Sequence, residues 1–489
     1  MPSDKATWQK FCCDSETLIR RGQLGAVGSG LKRLSPIEIP ADFRSSIANI
    51  ARRCGLLRLG LNLLRDSVVK PANHLAVSPK DLAEYVILLV QSGCVQEGAR
   101  LLDKVNWRAN PELLMAKVFC QFECWQHSES IPLLEKYIDV QRDWYLRSLA
   151  MVNLADANLR EGHYRPALES LNEIVKGLED RSCERLLGHC FNLRAKAYYE
   201  LKEYNNSDCE LGRAVSFFGD ENVIDSLLIR MQKAVNQSAH TKSTVPLRRF
   251  RSEALNASAW ECVRETDRQI LRLKPNRALF QKLYFGTPYF SYRKNLLLYP
   301  DFLQSSKTMV WGNSRAERLN LTTGNLNSGR ALHFTSQNLR LLNILLRDLY
   351  RPQTVAGVFD LLFQDEHYHP IHSPTRIHQC MKRLRQWLKA ESLPLNVICH
   401  DGGFLLCKVG DIGIEIDQPS SSMERDPTFV QLLALTFPPG TSFTAREACA
   451  KLGIAKATMT RYLATAVSQG GITRRNLNYS VEKLLKNSV

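Results

Sequence analysis

The sequence predicts a mainly α protein: an α-solenoid of helical hairpins followed by two small α+β domains. Three observations predict it. Residues 1–238 carry helical apolar periodicity with short breaks and few strand signals. Within them a small residue, a large anchor and a second small residue recur at Gly22/Leu24/Val27, Gly55/Leu57/Gly60, Gly162/Tyr164/Ala167 and Lys202/Tyr204/Ser207. The C-terminal half, in contrast, twice sets a helix with a basic face before a hairpin signal. A chain of 489 residues exceeds one core, so several domains are expected.

Composition narrows the setting. The chain is 44% apolar, yet its longest apolar run, near Tyr85–Val90, is far short of a bilayer span. The opening MPSDKATWQK carries no apolar run, so the expectation is a cytoplasmic protein that meets no membrane. Fourteen cysteines without CxxC pairs fit a reducing compartment. Cys120-x-x-x-Cys124-x-x-His127 lacks a second ligand pair and reads as buried thiols, so no metal or cofactor is expected. The net charge of +16 is unevenly placed: residues 241–489 hold 34 Lys and Arg against 19 Asp and Glu, leaving 31 against 30 before them. A basic half joined to a neutral half suggests that one part meets a polyanion and the other does not.

In the N-terminal part, Leu24 to Leu57 is 33 positions and Tyr164 to Tyr204 is 40, which is the size of a helical hairpin. The best copy is Leu154-Ala155-x-x-Asn158-x-x-x-Gly162-x-Tyr164-x-x-Ala167-x-x-x-Leu171-x-x-Ile174. Over residues 142–219 this resembles the tetratricopeptide repeat, in which small and large residues alternate so that two antiparallel helices pack closely. Before residue 142 an α-solenoid of related helix pairs is expected, with an irregular helical bundle as the alternative. Such an arm presents a concave surface to a protein or peptide partner, or pairs two copies of the chain as a homodimer. The polar QSAHTKSTVP, Gln237–Pro246, reads as a linker opening a basic segment, residues 239–309. There helices are expected near Trp260–Leu273 and Ala278–Leu283. That segment either lies on DNA phosphates or packs its aromatics onto the next domain.

Residues 310–416 supply strand-like runs broken by Gly312, Gly324 and Gly329, then three helices and a hairpin. Thr335 or Ser336 is positioned to cap the first helix, and the second covers about Thr354–Phe363. In the third, Ser373 is placed to cap the N-terminus and Pro374 suits the first turn. Ile377, Met381, Leu384 and Leu388 form one apolar stripe, opposite Arg376, Gln379, Arg383 and Gln386. Arg and Gln are the side chains that reach base edges, and Lys382, Arg385 and Lys389 flank them where phosphates would lie. Asn396–Ile398 and Phe404–Cys407 then pair around His400-Asp401-Gly402-Gly403, a turn that supplies positive φ.

The Leu-rich first helix, Lys382-Arg383-Leu384-Arg385 and Asp401-Gly402-Gly403-Phe404 resemble the winged-helix domain of OmpR/PhoB-type transcriptional regulators. The resemblance implies double-stranded DNA as partner. It places Arg376, Gln379, Lys382, Arg383 and Gln386 in the major groove and makes His400 and Lys408 wing contacts. Gln364–His372 becomes a loop facing RNA polymerase, although His367, His369 and His372 depart from the expected pattern. Helical repeats stand where such a regulator carries its phosphoacceptor domain, so aspartate phosphorylation is not the expected switch.

Residues 424–489 repeat the layout. Pro427–Phe437 reads as an apolar helix, and Thr444 with Glu447 forms a capping box for Ala445–Leu452. A further helix from Lys456 completes a helix-turn-helix, with a hairpin around Asn476–Asn478. Lys456, Thr458, Thr460 and Arg461 are its DNA-facing candidates, and Arg474 and Arg475 its wing candidates. The alternative use of this unit is protein contact. For the whole chain the leading expectation is a sequence-specific DNA-binding transcriptional regulator whose repeat arm senses a partner or signal. The second is a non-catalytic scaffold whose repeats and winged helices all bind proteins. No Gly-rich phosphate loop, metal signature or nucleophile elbow is present, so no catalytic residue is assigned.

Overall fold

A computed structural model describes residues 5–35, 38–69, 77–178, 181, 183–217, 223–296, 298–299, 302, 308–321, 324–330, 332, 336–417, 433, 437, 441–452, 456–468 and 472–481. The fold is mainly helical, as the sequence predicts. Antiparallel hairpins follow one another: α1 (Lys5–Arg20) with α2 (Leu24–Leu31), α3 (Ala41–Arg53) with α4 (Leu57–Val69), and α5 (Pro79–Ser92) with α6 (Val95–Asp103). They continue through α7 (Pro111–Glu123) with α8 (His127–Val140), α9 (Trp144–Arg160) with α10 (Tyr164–Leu178), and α11 (Glu184–Glu200) with α12 (Tyr204–Phe217).

Each of these hairpins turns on one left-handed residue: Gly22, Gly55, Gly93, Trp125, Gly162 and Lys202, with φ from 58° to 105°. A helix C-terminus commonly ends this way because the left-handed residue lets the next N–H groups reach the last free carbonyls. At α9/α10, His163 N donates to Asn158 O at 2.8 Å, and Ala155 and Ala167 are fully buried in one core where the helices approach. The small-large-small pattern is therefore a record of turn and close contact.

The expected linker is a seventh such turn. α13 (Val223–Thr241) and α14 (Val245–Asn256) pack together around Lys242, whose φ is 50°. The polar residues of QSAHTKSTVP belong to the exposed hairpin end, so the helical array runs beyond residue 238. It continues into α15 (Trp260–Leu273), α16 (Arg277–Phe285) and the short α17 (Phe290–Lys294). Among the described residues no helix is long and apolar enough to cross a membrane.

The first α+β unit contains β1 (Thr308–Gly312), β2 (Arg318–Asn320), α18 (Ser336–Leu346), β3 (Gln353–Thr354), α19 (Val355–Leu362) and α20 (Ser373–Ala390). β4 (Leu395–His400), β5 (Gly403–Lys408) and β6 (Gly413–Asp417) follow. β5 lies between β3 and β4, antiparallel to both, while β6 pairs antiparallel with β1 and parallel with β2. The β4/β5 turn has Asp401 at φ 48° and Gly402 at φ 71°, the hairpin the sequence calls for. The expected caps differ. Thr335 and the Ser336 side chain lie outside the described residues. Ser373 Oγ accepts from His369 N at 2.9 Å, so it closes the preceding turn instead of capping α20.

This unit is not a separate bead. One apolar core runs from Trp8 through Cys120 and on to Leu319–Ile414, joining the first hairpins to α18, α19 and α20. A second core joins α13–α17 to Met309 and Tyr350. The aromatic-rich segment after α14 thus packs onto the next unit, the second of its two expected roles. Arg264 of α15, fully buried, meets Asp348 at 2.5 Å, and Tyr350 Oη donates to Asp267 at 3.0 Å.

The second α+β unit has β7 (Ser442–Thr444), α21 (Ala445–Leu452), α22 (Lys456–Ser468), β8 (Ile472–Arg475) and β9 (Asn478–Val481), with β9 central in the sheet. Thr444 N donates to Glu447 Oε2 at 2.7 Å and Glu447 N to Thr444 Oγ1 at 3.2 Å, the expected capping box. Leu433 and Phe437 enter its core; the rest of the apolar helix expected over Pro427–Phe437 lies outside the described residues.

Candidate nucleic-acid interface

α20 buries Ile377, Cys380, Met381, Leu384 and Leu388, which is the predicted stripe plus one thiol. Its opposite face therefore turns to solvent. Gln379, Lys382, Arg383, Gln386 and Lys389 are exposed there, and none has a hydrogen-bond or ion-pair partner among the described residues. From Gln379 to Gln386 the face spans about 10 Å of helix, close to the width of a major groove.

Two neighbouring arginines are spent on structure. Arg376 pairs with the Glu366 carboxylate and lies 3.5 Å over the Phe363 ring. It fastens the loop before α20, so it is engaged within the chain, unlike the other groove candidates. Arg385 Nε donates to Val397 O at 2.6 Å and ties α20 to the hairpin. His378, on the first half of α20, meets the Phe404 ring edge-on at 5.4 Å. This sets the hairpin tip beside that half.

The two expected wing residues separate. His400 is at the tip and exposed, with its ring 5.4 Å from Trp260 at the start of α15. Lys408 pairs in register with Leu395 at the other end of β5, and its Nζ is 6.0 Å from the Trp311 ring. Five strand residues put it about 17 Å from the tip, so Lys408 is a base residue and not a wing contact.

The loop expected to face RNA polymerase is held by the chain itself. Glu97 of α6 accepts from Tyr368 N and meets His367 Nδ1, both at 2.9 Å. Tyr368 is buried, and His369 Nδ1 accepts from Ile371 N at 3.1 Å. His367 therefore anchors the loop and His369 shapes it. Beside it, the Asp360 carboxylate caps α6 from outside, accepting Gln96 N at 2.7 Å and Glu97 N at 2.9 Å, with Arg100 at 3.5 Å. Burial pushes the Asp360 carboxyl up to about 7, although Arg100 and the two N–H groups oppose the rise. Thr354 Oγ1 donates to Ser92 O at 2.8 Å and Cys94 Sγ to Ala356 O at 3.2 Å, completing the seam. Sequence reasoning missed Glu97 and Asp360. An aspartate inside the otherwise apolar VAGVFDLL was the available signal.

In the second unit Lys456 is exposed, while the exposed Thr460 donates its hydroxyl to Lys456 O at 2.9 Å, within its own helix. Arg474 Nε donates to Asn476 O at 3.0 Å and its guanidinium is 5.6 Å from the Tyr479 ring, so it braces the hairpin turn. The backbones of Thr458 and Arg461 are in α22 and that of Arg475 in β8; their side chains lie outside the described residues.

Comparison with known proteins adds little. No family model matches the chain, and no curated protein matches it. Among solved structures it is similar to the crystal structure of the P58(IPK) TPR domain, at 13% identity over 79% of this chain and 99% of that one, with a TM-score of 0.20. At that degree of superposition the fold assignment rests on this chain's own helices.

Proposed function

We propose that this chain is a double-stranded-DNA-binding transcriptional regulator. In this reading the first α+β unit is a winged helix that reads a major groove with α20, and the helical hairpins are the arm that holds it and receives a partner. One observation carries the reading: Gln379, Lys382, Arg383, Gln386 and Lys389 share an exposed face without partners, while Arg376 and Arg385 beside them are engaged. Arg383 supplies about 1–3 kcal/mol of base discrimination when bidentate to guanine, and the lysines add affinity that salt weakens.

The test is selection of bound duplexes from a random pool with the full-length chain, then titration of the selected and a scrambled duplex. Arg383→Ala should relax sequence choice, whereas Lys382→Ala should weaken both duplexes alike and lower the salt slope by about 1. Equal weakening on both duplexes by Arg383→Ala rejects its role as a base reader. A second reading, a protein-binding platform, is favoured by the share of the chain devoted to helical hairpins and by the loop clamped on α6. Absence of DNA binding even at low salt selects that reading.

A further inference from the structure

The later hairpins form a half-open cavity of about 800 Å³ that the nucleic-acid reading does not use. Inner helices α9, α11, α13 and α15 line it on one side, and α17 with Leu296 and Tyr299 closes the other. That volume lies within the range of small-molecule sites. Its cations and carboxylates balance in number, five against five, but do not all pair. Arg160 pairs with Asp156 at 2.9 Å, Arg268 with Glu265 at 2.6 Å, and Arg272 with Glu200 at 2.8 Å. Glu261, at the back wall, is 3.4 Å from the buried Arg264, which also meets Asp348, and neither Glu261 oxygen has a hydrogen-bond partner among the described residues. Lys294 and Glu161 are exposed at the rim. Lys196 of α11 is left, half-buried, as a lining cation with no ion-pair or hydrogen-bond partner among the described residues.

Two further features point to an occupant. Tyr292 Oη and both ring nitrogens of His127 lack hydrogen-bond partners, although these residues are only 1% and 6% exposed and line the cavity. Buried polar groups are almost always paired, so this wall has unmet hydrogen-bonding capacity. Burial pushes the His127 imidazole down to about 3, which keeps it neutral, with one nitrogen donating and one accepting. Around these groups the surface is apolar and aromatic, with Trp125, Tyr199 and Met231 prominent. Burial also lowers the Lys196 ammonium from its ordinary value, with Asp156 opposing that and Arg160 reinforcing it. An anion beside Lys196 would oppose that lowering, as Asp156 and Glu265 do.

We propose that this cavity binds a small organic anion, with its acidic group on Lys196 and an aromatic or aliphatic body against Trp125, Tyr199 and Met231. Arg160, lying 4.9 Å from the Trp125 ring centre, stands beside the same acidic group. The assignment is independent of whether α20 reads DNA.

Calorimetric titration of the full-length chain tests it with 4-phenylbutyrate, indole-3-acetate and phenyl phosphate. Each is paired with a neutral counterpart: 4-phenylbutanamide, indole-3-acetamide and benzyl alcohol. At least one acid should bind saturably and tenfold or more tighter than its neutral counterpart. Lys196→Met should weaken that acid roughly ten- to a hundredfold and leave the counterpart unchanged. Lys196→Arg, which keeps the charge and guards against a folding defect in the first variant, should retain the preference. Binding of none of the three acids, or an acid preference that survives in Lys196→Met, overturns the proposal.

Discussion

Replacing Asp360 with Asn should remove a pH dependence that the seam between α6 and α19 owes to one group. The carboxyl is 2% exposed and its pKa is pushed from 3.8 to about 7 by burial. The docked state therefore holds the proton more tightly than the undocked state does. Stability from this group is fully present below about pH 4 and is lost as pH rises through about 7. Over the whole window the loss is about 4 kcal/mol, and between pH 5.5 and 8 it is about 2 kcal/mol, or roughly thirtyfold in an opening equilibrium. Hydrogen exchange of the Gln96 and Glu97 amides, which Asp360 caps, reads that opening locally. After correction for intrinsic exchange, wild-type protection should fall by about that factor from pH 5.5 to 8, while Asp360→Asn stays level. Glu97, Arg100, Cys94 and His367 face the same seam in both proteins, so their contributions cancel in the comparison. Identical pH slopes in the two proteins would refute the assignment.

Two further substitutions test how the units are joined. Arg264→Met takes from the buried Asp348 its partner at 2.5 Å and leaves Arg351 at 3.5 Å, so it should cost at most about 3–5 kcal/mol by urea unfolding; adding Asp348→Leu should recover part of that loss. Gly93→Ala and Gly55→Ala form a matched pair. Both place a side chain at positive φ, about 1–2 kcal/mol each, but only at Gly93 would the new Cβ collide with Thr354 Oγ1 and crowd Gly357 N. Losing the Thr354 cap of α19 adds about 0.5–2 kcal/mol, so Gly93→Ala should be the more destabilising in thermal unfolding.

Local features were legible because local chemistry determines them. Gly22, Gly55, Gly162 and Lys202, singled out by spacing alone, all prove to be left-handed turn residues. The α20 stripe and the Asp401-Gly402 turn likewise follow from periodicity and backbone preference. Lys242 shows where that method stops: a polar hairpin end and a linker share one composition, and only packing of α13 on α14 separates them. Arg376 and Lys408 show a second limit. Their type and position suit a nucleic acid, but a carboxylate ten residues earlier claims the first, and strand register carries the second away from the tip. Asp360 and Glu97 lie more than 260 residues apart in sequence, so nothing short of the fold brings them together.

The shared core changes what the basic face of α20 means. A unit that buried its own core would present that face in any orientation its tether allowed, and a fragment of residues 310–489 would be the natural reagent for it. Here Ala356, Val358 and Leu362 lie in one apolar cluster with Leu89, Cys94 and Leu102, so excising the unit exposes core to water on both sides of the cut. The helical arm is thus part of what holds α20 in place. The same seam holds the loop Gln364–His372 through Glu97. The back wall of the cavity between α9, α11, α13 and α15 reaches α20's unit through Glu261, Arg264 and Asp348, one ion-pair chain away from the turn that leads into α19.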